Sequence, residues 1–207
     1  MSIKFELVTE DHINEAVDLV IDAYYKEKEI IKFLPEEDYS KMFKKRIKDL
    51  FDNGSGVVAI LNKKIVGFLA GFEINELWGK CKGIYCPLYG HGTIKGDRRK
   101  IYQLLYKKAA QIWVDKDITN HSITLYAQDK KIINTWFWMG FGIRCVDAIR
   151  ETVPINLKKS KISIKKARLS DVSSLADIHG KHNLYYKKSP IFMPVHEEDP
   201  ISDLNEC

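Results

Sequence analysis

The residues best suited to chemistry surround a glycine-containing loop at positions 87–99. The loop carries three glycines, Gly90, Gly92 and Gly96, and ends in Arg98 and Arg99 at the start of a helical pattern. The free N–H groups and the positive dipole end of a helix start attract anions, most often phosphate. Two positively charged arginines in the first helical turn are repelled by the positive end of that dipole. A polyanion bound beside them would offset this repulsion. The sequence therefore predicts an anion site, contacted by the amides of either 90–92 or 96–99.

The loop lies between a predicted strand and a predicted helix. Residues 84–86 form a short β-prone run, which Pro87 ends because proline has no N–H to continue a strand ladder. Asp97 stands where a helix N-cap belongs. Apolar residues then recur at helical spacing from Ile101 to Trp113. This order places the start of the helix at the carboxyl end of a strand.

The remaining elements predict an α/β (α+β) fold, with a mixed, mostly antiparallel central sheet flanked by helices. Apolar and alternating runs predict strands at 3–8, 57–61, 65–74, 84–86, 122–127 and 142–149. Helical spacing predicts helices at 10–24, 36–51, 98–113 and 129–139. The crossover between residues 84 and 127 implies one parallel strand pair. Such a pair splays beyond its ends and leaves a crevice that ligands favour.

The amino-acid composition limits which classes of protein this chain can belong to. The chain has 207 residues, 45% apolar and 29% charged, which is the balance of a soluble globular protein. No run approaches the ~18–20 apolar residues of a membrane span, and the N-terminus lacks the apolar core of a signal peptide, so we expect a cytoplasmic protein with no membrane partner. The four cysteines form neither a CxxC pair nor a disulfide framework, and we expect no metal site. The net charge of +5 comes from dispersed lysines and does not indicate nucleic-acid binding.

Four motifs together carry a family resemblance. They are the hairpin at 57–67, a strand that ends in Cys86-Pro87, the glycine loop that leads into a long helix, and Ile123-Thr124-Leu125-Tyr126 followed by Trp136-Phe137-Trp138-Met139-Gly140-Phe141. With this order of elements, residues 3 to about 149 resemble the GNAT superfamily of acyl-CoA-dependent N-acetyltransferases. The resemblance implies the GNAT fold, acetyl-CoA (CoA) as cofactor and direct transfer of an acetyl group to an amine. The acceptor stays open between a small-molecule amine and a protein or peptide amine.

The resemblance also implies which residues contact the cofactor. Its pyrophosphate would meet the loop amides at Gly90, His91 and Gly92, or those at Gly96, Arg98 and Arg99. Asp129 stands where the family often has an asparagine that contacts the cofactor. The backbone of Tyr85 and Cys86 would polarise the thioester carbonyl. The sequence departs from the family where Pro87 replaces a glutamine or arginine and where residues 93–96 are inserted before the helix.

Three side chains are candidates for proton transfer, and each has a plainer alternative: Glu73, His91 and Tyr126. Glu73 would act as a base near the amine, or it is only a solvated residue at the end of a strand. His91 titrates near physiological pH and would be a base or a phosphate ligand, or only a local hydrogen-bonding group. Tyr126 would protonate the leaving thiolate, or lie in the core, because Trp136 occupies the position of the family's usual tyrosine. The family's usual glutamate is also missing from 80–86, and Cys86 is interpreted as a small buried thiol.

Two other functions stay open on the sequence alone. The fold would serve as a catalytically weak or inactive acyl-CoA-binding regulatory module if the missing tyrosine and glutamate have no substitute. Alternatively, the crevice binds a different phosphorylated ligand, and the likeness is architectural only. Release of free CoA with a panel of amines separates the enzyme from the module, and binding of CoA against nucleotides separates both from the third function.

The sequence divides the chain into three parts. Residues 1–150 are the GNAT-like acetyltransferase domain, residues 151–161 are a polar, basic linker, and residues 162–207 repeat the opening strand and helix of a GNAT domain. A piece of this size rarely buries a core alone. We therefore expect 162–169 to pair as a strand with an open sheet edge, either of its own chain or of a partner chain, as in a homodimer.

Overall fold

The computed structural model describes residues 3–78, 80–154 and 162–187. The strands are β1 (Lys4–Leu7), β2 (Ser55–Leu61), β3 (Lys64–Ile74), β4 (Gly83–Cys86), β5 (His91–Thr93) and β6 (Asn120–Ile123). The helices are α1 (Ile13–Ile30), α2 (Ser40–Asn53), α3 (Arg98–Val114), α4 (Lys130–Trp138) and α5 (Val172–Lys187). The predicted order of elements is confirmed through α4, with β5 as an addition inside the predicted glycine loop.

The central sheet is mixed, as the sequence predicts. Its strands lie in the order β1-β2-β3-β4-β6, with β5 beside β3. All neighbouring pairs are antiparallel except β4 and β6, which run parallel with Cys86 opposite Ile123. The predicted α/β fold with one parallel strand pair is therefore confirmed.

Strand β3 carries two partners along one edge, and this divides the sheet. Its residues 72–74 pair with β4, and its residues 67–69 pair with β5. The chain between β4 and β5 makes a turn, in which the Gly90 N–H donates to the Pro87 carbonyl at 2.7 Å. Because β6 pairs with β4 and not with β5, the outer edge of β5 has no strand beside it in the described part of the chain. The sheet therefore opens into a crevice next to β5.

Helices cover both faces of the sheet. Helix α3 packs on one face through the buried side chains of Leu105, Ala109 and Trp113. Helices α1 and α2 pack on the other face, where Ile47 is among the buried residues. At Gly92, a Cβ atom would stand 2.8 Å from the Cβ of Leu19, so α1 lies directly against β5. This close approach brings the C-terminal half of α1 to the crevice.

Several element boundaries differ from the prediction. Helix α1 continues beyond its predicted end at residue 24 and reaches Ile30. Helix α2 begins at Ser40 instead of residue 36, because the Asp38 carboxylate accepts a hydrogen bond from the Ser40 N–H at 2.9 Å and holds the preceding residues outside the helix. The predicted strand at 122–127 is shorter and earlier, as β6.

The predicted strand at 142–149 is wrong. Residues 141–150 have no regular secondary structure, and Ile143, Val146 and Ile149 are exposed. A strand persists only where a neighbour bonds its backbone. Among the residues that the structure describes, the outer edge of β6 has no strand beside it, and residues 142–149 do not pair there.

Residues 162–187 are described by themselves. Residues 162–168 have no strand, which differs from the prediction for 162–169. A short 3-10 helix at Leu169–Asp171 leads into α5, and the Asp171 carboxylate accepts from the Arg168 N–H at 3.0 Å. Over the described ranges of the whole chain, no helix has the length and apolar character needed to cross a membrane.

Candidate functional site

A cavity of about 210 Å³ lies beside the unpaired edge of β5. Helix α1, the turn before β5, β5 itself, the start of α3, the residues after β6 and the start of α4 all contribute to its lining. The structure thus brings together several of the predicted site residues, namely His91, Gly92, Arg98, Tyr126 and Asp129. It does not place Glu73, Tyr85 or Cys86 on this cavity.

His91 is held by two hydrogen bonds at the base of the crevice. Its Nε2 lies 2.8 Å from the Thr124 carbonyl oxygen, so Nε2 carries the proton and donates it. Its Nδ1 is therefore the acceptor for the Tyr102 hydroxyl, 2.9 Å away. Burial lowers the pKa of His91 to about 4, with a smaller contribution from the Arg98 charge in the same direction. His91 is thus neutral at physiological pH with both ring nitrogens occupied, which does not support its predicted roles as a base or a phosphate ligand.

Arg98 reaches across the crevice to the start of α4. Its guanidinium lies 2.7 Å from the Asp129 carboxylate, and its Nε donates to the Thr93 hydroxyl at 3.2 Å. Asp129 is also the N-cap of α4, where its carboxylate accepts from the Ile132 N–H at 3.4 Å. One ion pair therefore joins the starts of α3 and α4 on the wall of the cavity.

The amides of Gly90 and Gly92 are already engaged in the sheet. The Gly90 N–H donates to Pro87, and its carbonyl accepts from the Ala70 N–H at 2.7 Å. Gly92 lies opposite Phe68. Because alternate residues of an antiparallel ladder bond to the partner strand, the Gly92 N–H also points toward β3. The amides of these two glycines are therefore not available to an anion, although they belong to the predicted set at 90–92.

The same alternation leaves the N–H groups of His91 and Thr93 directed away from β3. Both residues line the cavity. The edge of β5 therefore offers backbone donors to a ligand that lies along it.

The start of α3 keeps part of the second predicted set of amides free. The carboxylate of Asp97 accepts from the Lys100 N–H at 3.3 Å, which confirms the predicted cap. The Arg98 N–H donates to Gly96 at 2.9 Å, and the Arg99 N–H has no bond to any residue of the described ranges. Gly96 has a φ of 117°, a left-handed conformation that favours glycine. The Arg99 side chain is exposed beside this free amide.

Cys86 and Tyr85 lie inside the sheet. The carbonyl of Cys86 accepts from the Thr124 N–H at 3.0 Å in the parallel ladder with β6. The Tyr85 hydroxyl lies 3.2 Å from the Thr124 hydroxyl. Burial raises the pKa of the Cys86 thiol, which remains protonated, as expected of a structural thiol. The backbone donors at the crevice come from β5 and not from these two predicted residues.

Glu73 lies far from the cavity. Its carboxylate pairs with Lys116 at 2.6 Å, just beyond the C-terminal end of α3. The cavity lies at the other end of that helix, beside Arg98. A helix of 17 residues is about 25 Å long. This separation excludes Glu73 as a base for a group bound in the cavity.

Tyr126 and Glu27 are the remaining proton-transfer groups on the cavity wall. Burial raises the pKa of Tyr126, and the charge of Glu27 raises it further, so the hydroxyl keeps its proton at physiological pH. Burial also raises the pKa of Glu27, and the Asp129 charge adds to the effect. The predicted Tyr126 is thus joined by a carboxylate that sequence reasoning missed.

The sequence does carry a signal for Glu27. Helix α1 buries Ile13, Ala16, Val17 and Val20 on one face, and Glu27 falls on the same face seven residues after Val20. A glutamate at an apolar position of a helix is a marker for a functional group. The signal was lost because the apolar pattern fades after residue 24, where the predicted helix ends.

The aromatic run before Gly140 is mostly structural. Trp136 is buried in the core, 5.8 Å between ring centroids from Tyr102, whereas Trp138 is 88% exposed. Gly140, with a φ of 96°, ends the helical segment as predicted.

Comparison with solved structures shows that this architecture is that of acetyltransferases. A predicted acetyltransferase from Clostridium acetobutylicum with acetyl-CoA has a TM-score of 0.53 and 12% identity, over 73% of this chain and 96% of that chain. The ribosomal-protein-alanine N-acetyltransferase from Brucella melitensis biovar Abortus 2308 has a TM-score of 0.52 and 9% identity, over 73% and 100%. An aminoglycoside N-acetyltransferase in complex with CoA has a TM-score of 0.51 and 10% identity, over 78% and 96%.

Identities this low show a common fold and no more. The predicted GNAT-like fold is thereby confirmed. No protein-family model and no curated protein sequence matches the chain.

Proposed function

Starting from the fold shared with GNAT acetyltransferases, we propose that this protein transfers an acetyl group from acetyl-CoA directly to an amine. The observation that carries the proposal is the cavity along the unpaired edge of β5, which reaches from the start of α3 to buried groups able to move protons. The acetyltransferase from Clostridium acetobutylicum with the same fold was solved with acetyl-CoA, which supports this choice of cofactor.

The start of α3 suits the phosphates of CoA. It combines the free N–H of Arg99, the positive end of the helix dipole and the exposed Arg99 side chain. Asp97 places a carboxylate at the same helix start, and the arginines offset its charge. Arg98 would join Arg99 at the phosphates when it leaves its partner Asp129. These residues fit a polyanion and would hold the cofactor by its phosphates.

The edge of β5 suits an extended ligand with amide groups, such as the arm that links the CoA phosphates to its sulfur. The N–H groups of His91 and Thr93 point away from β3 and would donate to it as a neighbouring strand does. His91 closes the base of the crevice, because its ring spans from β5 to the Thr124 carbonyl. His91 is then a positioning residue that fixes how far the arm enters.

The acetyl thioester supplies a carbonyl carbon that an amine attacks, with a thiol as the leaving group. The chain itself must bind the amine, hold the two reactants in line and move protons. The Tyr126 hydroxyl keeps its proton and would donate it to the departing sulfur. The buried Cys86 stays protonated and takes no part, so no acetyl-cysteine step is needed.

Cofactor binding is the first test. Saturating acetyl-CoA should raise the melting temperature by a few degrees, because an excess of ~100-fold over the dissociation constant adds ~2.7 kcal/mol to the free energy of unfolding. Arg99→Ala should weaken binding of CoA by about 1–3 kcal/mol, whereas the matched change Lys107→Ala, on an exposed part of α3, should not.

The outcomes separate the competing functions. No shift at millimolar acetyl-CoA would contradict the proposal. A shift without release of free CoA in the presence of amines would support the regulatory module instead. Equal shifts with nucleotides and with CoA would indicate a general phosphate site.

A further inference from the structure

Glu27 is a largely buried residue whose carboxylate is accessible from the cavity and has no partner of its own. Its residue is only 7% exposed, yet its side chain lines the cavity. Within the described ranges it makes no ion pair and no side-chain hydrogen bond. A buried charge without compensation destabilises a fold, and proteins retain such groups mostly at functional sites.

The other charges on the cavity wall are already neutralised. Lys26 pairs with Asp22 on the same helix, and Arg98 pairs with Asp129. His91 is neutral. The described lining of the cavity therefore leaves one uncompensated charge, the negative charge of Glu27, which is complementary to a cationic ligand.

We propose that Glu27 binds the ammonium group of the acetyl acceptor and takes a proton from it, and that the acceptor is a compact primary amine. This inference rests on the proposed function and names the acceptor class of the same site. It assigns the role of base to α1, in place of the predicted Glu73.

The shape of the site selects a small acceptor over a protein. The cavity of about 210 Å³ is smaller than the ~300–1,000 Å³ of pockets that enclose drug-sized ligands, and the arm of the cofactor would fill part of it. Apolar side chains, including Ala23, Leu125 and Ile132, form much of its wall. The free donors on the edge of β5 would already bond the amide groups of the cofactor arm, so a polypeptide backbone entering beside it would bury its own amide groups against apolar atoms. An alkyl or arylalkyl amine places its charge on Glu27 and its carbon chain on that wall.

The proton balance uses two groups of the chain. Glu27 takes one proton from the ammonium, and the amine nitrogen then bonds to the thioester carbon as the carbon–sulfur bond breaks. The sulfur leaves with the bonding electron pair and takes a proton from Tyr126, which recovers the second proton of the amine. The third proton stays on the product amide, and Glu27 releases its proton to water.

The surroundings of Glu27 suit this role. Lys26 and Tyr24 accompany it on α1, Arg98 and Tyr102 face the cavity from α3, and Asp129 and Tyr126 face it from the α4 side, with His91 on β5. Burial raises the pKa of Glu27, which makes the carboxylate a stronger base than an exposed glutamate.

The test uses Glu27→Gln, with Glu29→Gln as the matched control on an exposed position of the same helix. The probes are hexylamine and 2-phenylethylamine, with hexanol and 2-phenylethanol as neutral counterparts, each measured calorimetrically with and without CoA. The wild-type protein should bind each amine at least tenfold more tightly than its alcohol. Glu27→Gln should lose that preference, lower kcat/KM for the amine by about 10²–10⁴-fold and leave the affinity for CoA unchanged. Glu27→Asp should restore part of the preference.

A stability measurement keeps the test decisive. Glu27→Gln removes an unpaired charge that is partly desolvated by burial, so its melting temperature should rise and not fall. Equal binding of amines and alcohols by the wild-type protein, unchanged amine binding in Glu27→Gln, or a melting temperature lowered like that of a core variant would each overturn the inference. If acetyl-CoA fails to bind while the amine preference persists and depends on Glu27, the proposed function fails and the amine site stands.

Discussion

His91 shows how burial changes the role of a residue that sequence alone makes a candidate base. The imidazole donates to the Thr124 carbonyl and accepts from Tyr102, and both bonds suit the neutral ring. A proton added to Nδ1 would face the hydroxyl as a competing donor in a buried site. The residue therefore holds the crevice in shape and does not exchange protons.

This arrangement predicts a pH dependence of stability. Burial holds the folded-state pKa of His91 at about 4, below its ordinary value of 6.5, so on acidification the unfolded chain takes up the proton first. Stability from this residue is full above pH 6.5 and is lost as the pH falls toward 4, by about 3 kcal/mol in all. His91→Asn should flatten this part of the profile of unfolding free energy against pH, measured by urea denaturation.

Measurement of both proteins at pH 8 supplies the control. At that pH His91 is neutral in the folded and unfolded states, so the difference in free energy of unfolding reports the substitution alone. A wild-type profile that is no steeper than that of His91→Asn between pH 6.5 and 4 would contradict the assignment.

At the scale of elements, the ion pair between Arg98 and Asp129 ties two helix starts together across the crevice. The pair narrows the place where the phosphates of a cofactor would lie, and it neutralises one of the two arginines there. In the proposed function, cofactor binding would therefore compete with this internal contact. The family resemblance expects an asparagine at this position, which would not hold the arginine.

Asp129→Asn should therefore tighten binding of CoA by several-fold. Asparagine keeps the cap of α4, because its side-chain oxygen can still accept from the Ile132 N–H, while Arg98 becomes free to meet the phosphates. Isothermal titration with CoA measures the change, and Asp18→Asn at an exposed position of α1 is the matched control. Weaker binding in Asp129→Asn would show instead that the carboxylate itself contacts the cofactor, as the sequence predicts.

At the scale of the whole molecule, the features that bear on the C-terminal segment are the edges of the sheet and the surface of α5. The outermost strands, β1 and β6, each have one partner in the described part of the chain. Helix α5 exposes Leu175, Ile178 and Leu184, which are apolar side chains in need of a partner. The pairing of residues 162–169 with an open sheet edge, of the same chain or of a partner chain, stays a prediction, and residues 162–168 form no strand in the structure.

Limited proteolysis with mass spectrometry of the fragments tests the docking. Cleavage between residues 158 and 166 should be slower than cleavage near the C-terminus, because a docked segment holds its connection close to the sheet. Equal rates at the two places would show that the segment is not docked. Size-exclusion chromatography at two protein concentrations then separates docking within one chain from a homodimer.

The sequence alone determined the elements that depend on local chemistry. Asp97 and Asp129 cap helices and Gly140 ends one, because capping carboxylates and a left-handed glycine act within a few residues of chain. The crossover from β4 through α3 to β6 follows from the order of elements and the preferred handedness of such connections. These signals were enough to predict a fold like that of the GNAT acetyltransferases and a crevice beside the glycine loop.

Only the tertiary structure decided which residues meet. Residues 91–93 became strand β5 because β3 is long enough to bond a second partner, whereas residues 142–149 pair with no neighbour in the described chain and form no strand. Glu73 lies at one end of α3 and Glu27 reaches the cavity at the other, although neither position is marked by its immediate neighbours. Strand pairs and the side chains that line a cavity bring together residues that are distant in sequence. The free energy of these contacts depends on the tertiary structure, so no local sequence pattern predicts them.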